Sequence, residues 1–199
     1  MLGDAESPTQ GSQSATLLNS VHGLSNNPTG MELVVDSSIL TVLFYGHILS
    51  AMGWLGGGLF TTFVVGPGLQ TLSPSSRLEF IARVIPKVLR FVIYSAVGTM
   101  GFGVLLYAYS LTDSSFSPSW ALYTGVGLAL IVAAIAFSIT IPSFRRMSKI
   151  AQSIVSGETQ GPPPPEMQVL ARRAGMGALV GTAILLAVLG MMVISVVMY

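Results

Sequence analysis

Residues 37–65, SSILTVLFYGHILSAMGWLGGGLFTTFVV, contain no Asp, Glu, Lys or Arg. A helix needs roughly 20 apolar residues to cross a hydrocarbon core, and this run is longer. It predicts a tilted membrane span over about 38–65, capped by Ser37 or Ser38 and loosened at Gly66-Pro67-Gly68. Uncharged stretches at 91–112, 114–144 and 174–199 predict three more helices, at about 91–110, 120–142 and 174–198. Composition agrees: 51% of the 199 residues are hydrophobic, 9% are charged and mean hydropathy is +0.72. An ordinary soluble domain carries roughly 25% charged residues. The expected fold is all-α, an integral membrane four-helix bundle.

Before the first span, residues 1–36 hold Asp4, Glu6, Glu32 and Asp36 but no Lys or Arg, and show no apolar periodicity. They are expected to form a disordered polar tail without the basic region of a signal peptide, so that the first span itself directs insertion. Met31 is an alternative translation start. The connection at 70–90 offers a Ser76-x-x-Glu79 capping box and an apolar stripe of Phe80, Ile81 and Val84. It predicts a helix lying at the membrane surface until Pro86 redirects the chain. In the connection at 143–173 the helical pattern continues through Phe144, Met147, Ile150, Ala151 and Ile154, with Pro142 as a kink. Gly161 and the prolines 162–165 end it, and Pro165 suits the first turn of a helix that becomes the fourth span.

All nine Lys and Arg residues lie in these two connections: Arg77, Arg83, Lys87 and Arg90 in the first, and Arg145, Arg146, Lys149, Arg172 and Arg173 in the second. The positive-inside rule makes both cytoplasmic and both termini external. Tyr107, Tyr109, Trp120, Tyr123 and Tyr199 then form an aromatic belt at the outer interface. The small-residue pairs Gly53-x-x-x-Gly57 and Gly177-x-x-x-Gly181, with Gly98, Gly101 and Gly103, are expected to serve close packing within the bundle rather than dimerisation.

The net charge of +1 argues against a nucleic-acid partner, and the absence of cysteine excludes disulfides, thiolate metal sites and iron–sulfur clusters. No intramembrane Asp pair, His-Glu-x-x-His, Walker loop or Ser-His-Asp set is present, so no enzyme class is supported. One ionisable side chain falls well inside a span, His47, about 15 Å below the start of its helix, with Trp54 seven residues on along the same face. The plain role for His47 is a hydrogen bond to a backbone carbonyl or to a hydroxyl of Ser50, Tyr107, Tyr123 or Ser195. Its functional role would be as a ligand. Met191 and Met192 reach a similar depth on the fourth helix and Met100 lies mid-way along the second, all three equally suited to filling gaps. A His/Met donor set suits copper(I) or a haem iron. A bis-histidine haem would need a second protomer or His22.

The segment Gly46-His-Ile-Leu-Ser-Ala-Met-Gly-Trp54-Leu-Gly-Gly-Gly-Leu-Phe60, closing near Val65-Gly-Pro67, resembles the first helix of the copper-resistance D (CopD) membrane family, with its His-x6-Trp-x-Gly-Gly pattern. HemJ-type four-helix membrane proteins are distantly similar. The resemblance extends over about 37–199 through the rhythm of basic connection and apolar helix. It does not include the second intramembrane ionisable residue of the HemJ type. It implies copper handling at the outer half of the cytoplasmic membrane, at His47 with Met191 or Met192 and with Trp54 packed beside them. Implied partners are the lipid bilayer and an extracytoplasmic copper protein or other membrane subunits. Two alternatives stay open: a b-type haem or redox subunit using His47, and a structural subunit without a site of its own.

Overall fold

The computed structural model describes residues 28–112, 117–159 and 161–197. The chain divides into two units, Met1–Phe44 and Tyr45–Tyr199. In the first, the described backbone is helical from Pro28, ahead of the start expected at Ser37 or Ser38. The rest of the expected tail, with His22, lies outside the described residues, as does the side chain of Met31.

Helix α1 (Pro28–Phe60) passes through a π-helical segment, Thr61–Val65, into α2 (Gly66–Thr71). Next come α3 (Pro74–Arg83) and α4 (Ile85–Ser110). Helix α5 (Trp120–Ile135) leads through a second π-helical segment, Ala136–Thr140, into α6 (Ile141–Val155), and α7 (Glu166–Val197) completes the chain. No strand occurs among the described residues. Four stretches are long and apolar enough to cross a membrane: Ser38–Thr71, Pro74–Ser110, Trp120–Val155 and Glu166–Val197. The fold is thus an all-α, multi-pass membrane bundle. Large apolar side chains such as Leu49, Met52, Val104 and Val193 point outward, where lipid takes the place of water.

Several boundaries differ from expectation for identifiable reasons. Gly66-Pro67-Gly68 does not loosen the first span: a π-type bond from the Gly66 N–H to the Thr61 carbonyl precedes the proline, and the helix continues to Thr71. The third span does the same before Pro142, with the Ile141 N–H bonded to the Ala136 carbonyl. Proline has no N–H and its ring collides with the preceding turn, and a widened turn absorbs both defects without ending the helix. Ser76 and Glu79 do not form a capping box. Ser73 is the N-cap, its hydroxyl accepting from the Ser76 N–H at 3.3 Å, because Pro74 occupies the first turn, where its missing N–H costs nothing. Glu79 instead pairs with Arg83 at 3.3 Å on an exposed face. Helix α6 stops at Val155, ahead of the proline run, where Gly157 takes φ +78°, a conformation that favours glycine.

The apolar stripe of α3 is covered by protein. Ile81 and Ala82 are buried with Ile85, Met147, Ala151, Met167 and Leu170 in one cluster where α3, α4, α6 and α7 meet. The Gln152 side-chain amide donates to the Ala82 carbonyl at 2.9 Å and ties α6 to α3. The elements bearing all nine Lys and Arg residues converge at this basic end.

A second cluster joins the four spans at mid-height. Trp54 (4% exposed) packs with Ala96, Val132, Ala133 and Leu185, so each span contributes at least one residue. Small residues set the spacing on either side of it. A methyl added to Gly53 would lie 2.5 Å from Ser95 Oγ, and one on Gly57 would lie 2.8 Å from Val92 Cγ2, so this pair faces α4. Gly177 faces Thr140, and a methyl on Gly181 would touch Val132 at 3.7 Å, so that pair faces the third span. Both pairs act inside the bundle, where close backbone approach supplies the packing that helices in lipid depend on.

Candidate functional site

Helix α1 carries His47 two turns from Trp54, on the side away from the basic end, and the glycines around it make room for the ring. On α4, a methyl at Gly103 would lie 3.1 Å from His47 Cε1 and 3.2 Å from Nδ1. On α1 itself, Gly46 lets the Phe102 ring approach, since a methyl there would meet Phe102 Cε1 at 2.7 Å. The half-buried imidazole thus lies close against α4.

His47 Nδ1 lies 2.9 Å from the Thr99 carbonyl oxygen. A carbonyl can only accept, so Nδ1 carries the proton and donates it. In the neutral ring Nε2 then holds the lone pair. Tying one ring nitrogen to a backbone carbonyl while the other stays basic is how metal-bound histidines are oriented. The bond also joins two spans, and such inter-helix bonds contribute about 0.6 kcal/mol on average in membrane proteins. Thr99 is itself settled, its hydroxyl donating to the Ser95 carbonyl at 2.8 Å.

The two methionines lie on another interface. A methyl on Gly125 of α5 would meet Met192 Cε at 3.1 Å, Met192 Sδ at 3.7 Å and Met191 Cβ at 3.4 Å. Their depth agrees with that of His47: Gly58 and Thr182 touch across α1 and α7, and counting from this contact away from the basic end reaches His47 and Met192 after about 16 Å and 15 Å. Among the described residues no three of His, Cys, Asp and Glu gather as a metal site. Trp54 is buried in the mid-height cluster two turns along α1 from His47, and Met100 packs partly buried against that cluster. At the end of the bundle away from the basic residues, Tyr107 on α4 and Tyr123 on α5 share a hydrogen bond, and Trp120 is exposed.

Sequence reasoning missed two cavities on the basic side of Trp54. One, of about 90 Å³, is lined by Trp54, Thr61, Ile85, Thr140, Phe144 and Thr182 among others. The other, of about 410 Å³, is lined by Thr61, Gln70, Arg77, Ile85, Phe144 and Gly175 among others. Thr61, Ile85, Phe144 and Ala178 line both, so the two adjoin. Thr140 Oγ1 and Arg77 Nε are buried without a hydrogen-bond partner, a state that costs about 1–3 kcal/mol per group when water is excluded. His47 lines neither cavity. Arginine in a basic connection reads as a topology signal, which hides the one that turns inward.

Comparison with family models, curated proteins and solved structures found no match. The resemblance to the CopD group therefore rests on the sequence alone, on the motif from Gly46 to Pro67 and the rhythm of basic connection and apolar helix over about 37–199.

Proposed function

We propose that this four-span chain handles copper(I) in the outer half of the cytoplasmic membrane, with both termini outside and Nε2 of His47 as the imidazole donor. The observation that carries this reading is the 2.9 Å bond from Nδ1 to the Thr99 carbonyl, which orients the ring and leaves its second nitrogen for a ligand. The donors at this depth are imidazole and thioether, without carboxylate or thiolate, and that chemistry suits copper(I) above harder ions. Met192 Sδ faces Gly125, so as a ligand it would have to turn away from that interface toward His47. A haem fits less well, because a macrocycle needs a slot and His47 lines neither cavity. An extracytoplasmic copper carrier or another membrane subunit would be the exchange partner.

The same bond favours a second reading, in which His47 only staples α1 to α4 and the chain is a structural subunit. Copper(I) titration of the detergent-purified protein, monitored with a competing chromophoric chelator, separates the two. Stoichiometric binding that weakens at least tenfold in His47→Ala supports copper handling. Binding unchanged in that variant, or none in the parent, assigns His47 to packing. A Soret band lost in His47→Ala would restore the haem alternative.

A further inference from the structure

We propose that the adjoining cavities on the basic side of Trp54 form a binding site for an anionic amphiphile, an oxyanion carried on an alkyl chain, with Arg77 as the head-group anchor. The proposal is independent of His47.

The larger cavity measures about 410 Å³, within the roughly 300–1,000 Å³ typical of ligand sites. Its lining divides by chemistry. Arg77, Gln70, Thr61 and Thr62 supply polar groups, while Val65, Leu69, Ile81, Phe144 and Met147 make an apolar wall. The smaller cavity continues that wall toward Trp54 past residues common to both. A free inorganic anion would use the arginine and leave the wall bare. A hydrocarbon would use the wall and leave the arginine unanswered.

Arg77 is held in place for this task. Its Nη2 donates to the Gln70 carbonyl at 3.1 Å and to the Leu72 carbonyl at 3.3 Å, closing the end of α2. Its Nε is buried and has no partner. Guanidinium nitrogens sit in a rigid fork matched to phosphate and carboxylate oxygens, and Arg77 lines the cavity, so the outer nitrogens of its fork can meet a head group there. Basic pockets between spans are where anionic lipid head groups are held. Phosphate is the shared head-group chemistry, and the apolar wall selects its lipid-borne form.

The chain carries its own reporter, since Trp54 lines the inner cavity and Trp120 is the only other tryptophan. In a Trp120→Phe background the protein is reconstituted in nanodiscs containing phosphatidylglycerol brominated on its acyl chains, and separately in nanodiscs with equally brominated phosphatidylcholine. Quenching of Trp54 at least twofold stronger by the anionic lipid is expected, with the excess lost in Arg77→Gln. Because Arg77 also closes α2, a second variant leaves it intact. Gly175 lines the cavity and a methyl there would meet nothing within 4 Å, so Gly175→Leu adds bulk at the cavity wall with Arg77 intact and should remove the same excess. Equal quenching by the two lipids, or an excess that survives both substitutions, overturns the proposal. Loss of the excess on adding millimolar inorganic phosphate also overturns it, because Arg77 would then serve a free anion.

Discussion

Pro67 and Pro142 stand in the same place on two different spans, each the second residue after a π-helical segment of 5 residues. Both segments contact α7, where Thr62 and Thr182 hydroxyls lie 3.4 Å apart and Thr140 faces Gly177. If the prolines cause the widening, Pro67→Ala should restore α-helical bonding over 61–66. Amide exchange there should slow about tenfold, read by hydrogen–deuterium exchange. Unchanged exchange would place the cause in the packing against α7.

Gly53 and Gly56 lie three residues apart on α1 and should respond in opposite ways. A methyl at Gly53 meets Ser95 Oγ at 2.5 Å, whereas at Gly56 nothing lies within 4 Å. Gly53→Ala should destabilise by about 1–3 kcal/mol through overpacking, and Gly56→Ala should be neutral or gain up to about 1 kcal/mol from helix propensity. Denaturation in detergent followed by circular dichroism compares them.

Trp54 is the residue on which all four spans converge, and truncation opens a cavity that Ala96 and Ala133 are too short to fill. Trp54→Ala should cost about 3–5 kcal/mol. Trp120→Phe, at a position 57% exposed, should cost under about 1 kcal/mol in the same assay.

The cap of α3 is testable by register. Ser73→Ala removes the hydroxyl that accepts from the Ser76 N–H and should cost about 1 kcal/mol of local stability, seen as faster amide exchange over 75–78. Ser76→Ala should leave those amides nearly unchanged, whereas the reverse result would restore Ser76 as the cap.

His47→Ala should lower stability by no more than about 2 kcal/mol, the upper range for one inter-helix hydrogen bond in lipid. A Met191→Leu, Met192→Leu double variant keeps the volume at Gly125 and should be nearly neutral in stability. If it still weakens copper(I) binding, the thioethers are ligands.

Much of the bundle was legible because charge is so scarce: wherever Lys and Arg cluster, a span has ended. The pattern of Phe80, Ile81 and Val84 showed an apolar face without showing what covers it, since lipid and protein demand the same residues. The π segments were hidden for a related reason. Pro67 and Pro142 announce a defect, and only packing decides whether the helix breaks there or widens. At His47 the residue was visible and its partner was not, because the Thr99 carbonyl is backbone and leaves no mark in a side-chain pattern. Arg77 was legible as a charge, while its inward turn depends on the end of α2, one connection away.

The third span stays helical from Trp120 to Val155, 36 residues or about 54 Å, against a hydrocarbon core of about 30 Å. Almost half of it must stand clear of the acyl chains. That protruding arm is clasped by α3 through Met147, Ala151 and Gln152, while its other half holds Val132 and Ala133 against Trp54. In mechanical terms it is one lever with a load at each end. A tilt of a few degrees at the tryptophan would displace the far clasp by about an ångström or more, unless the widened turn at Ala136–Thr140 takes it up.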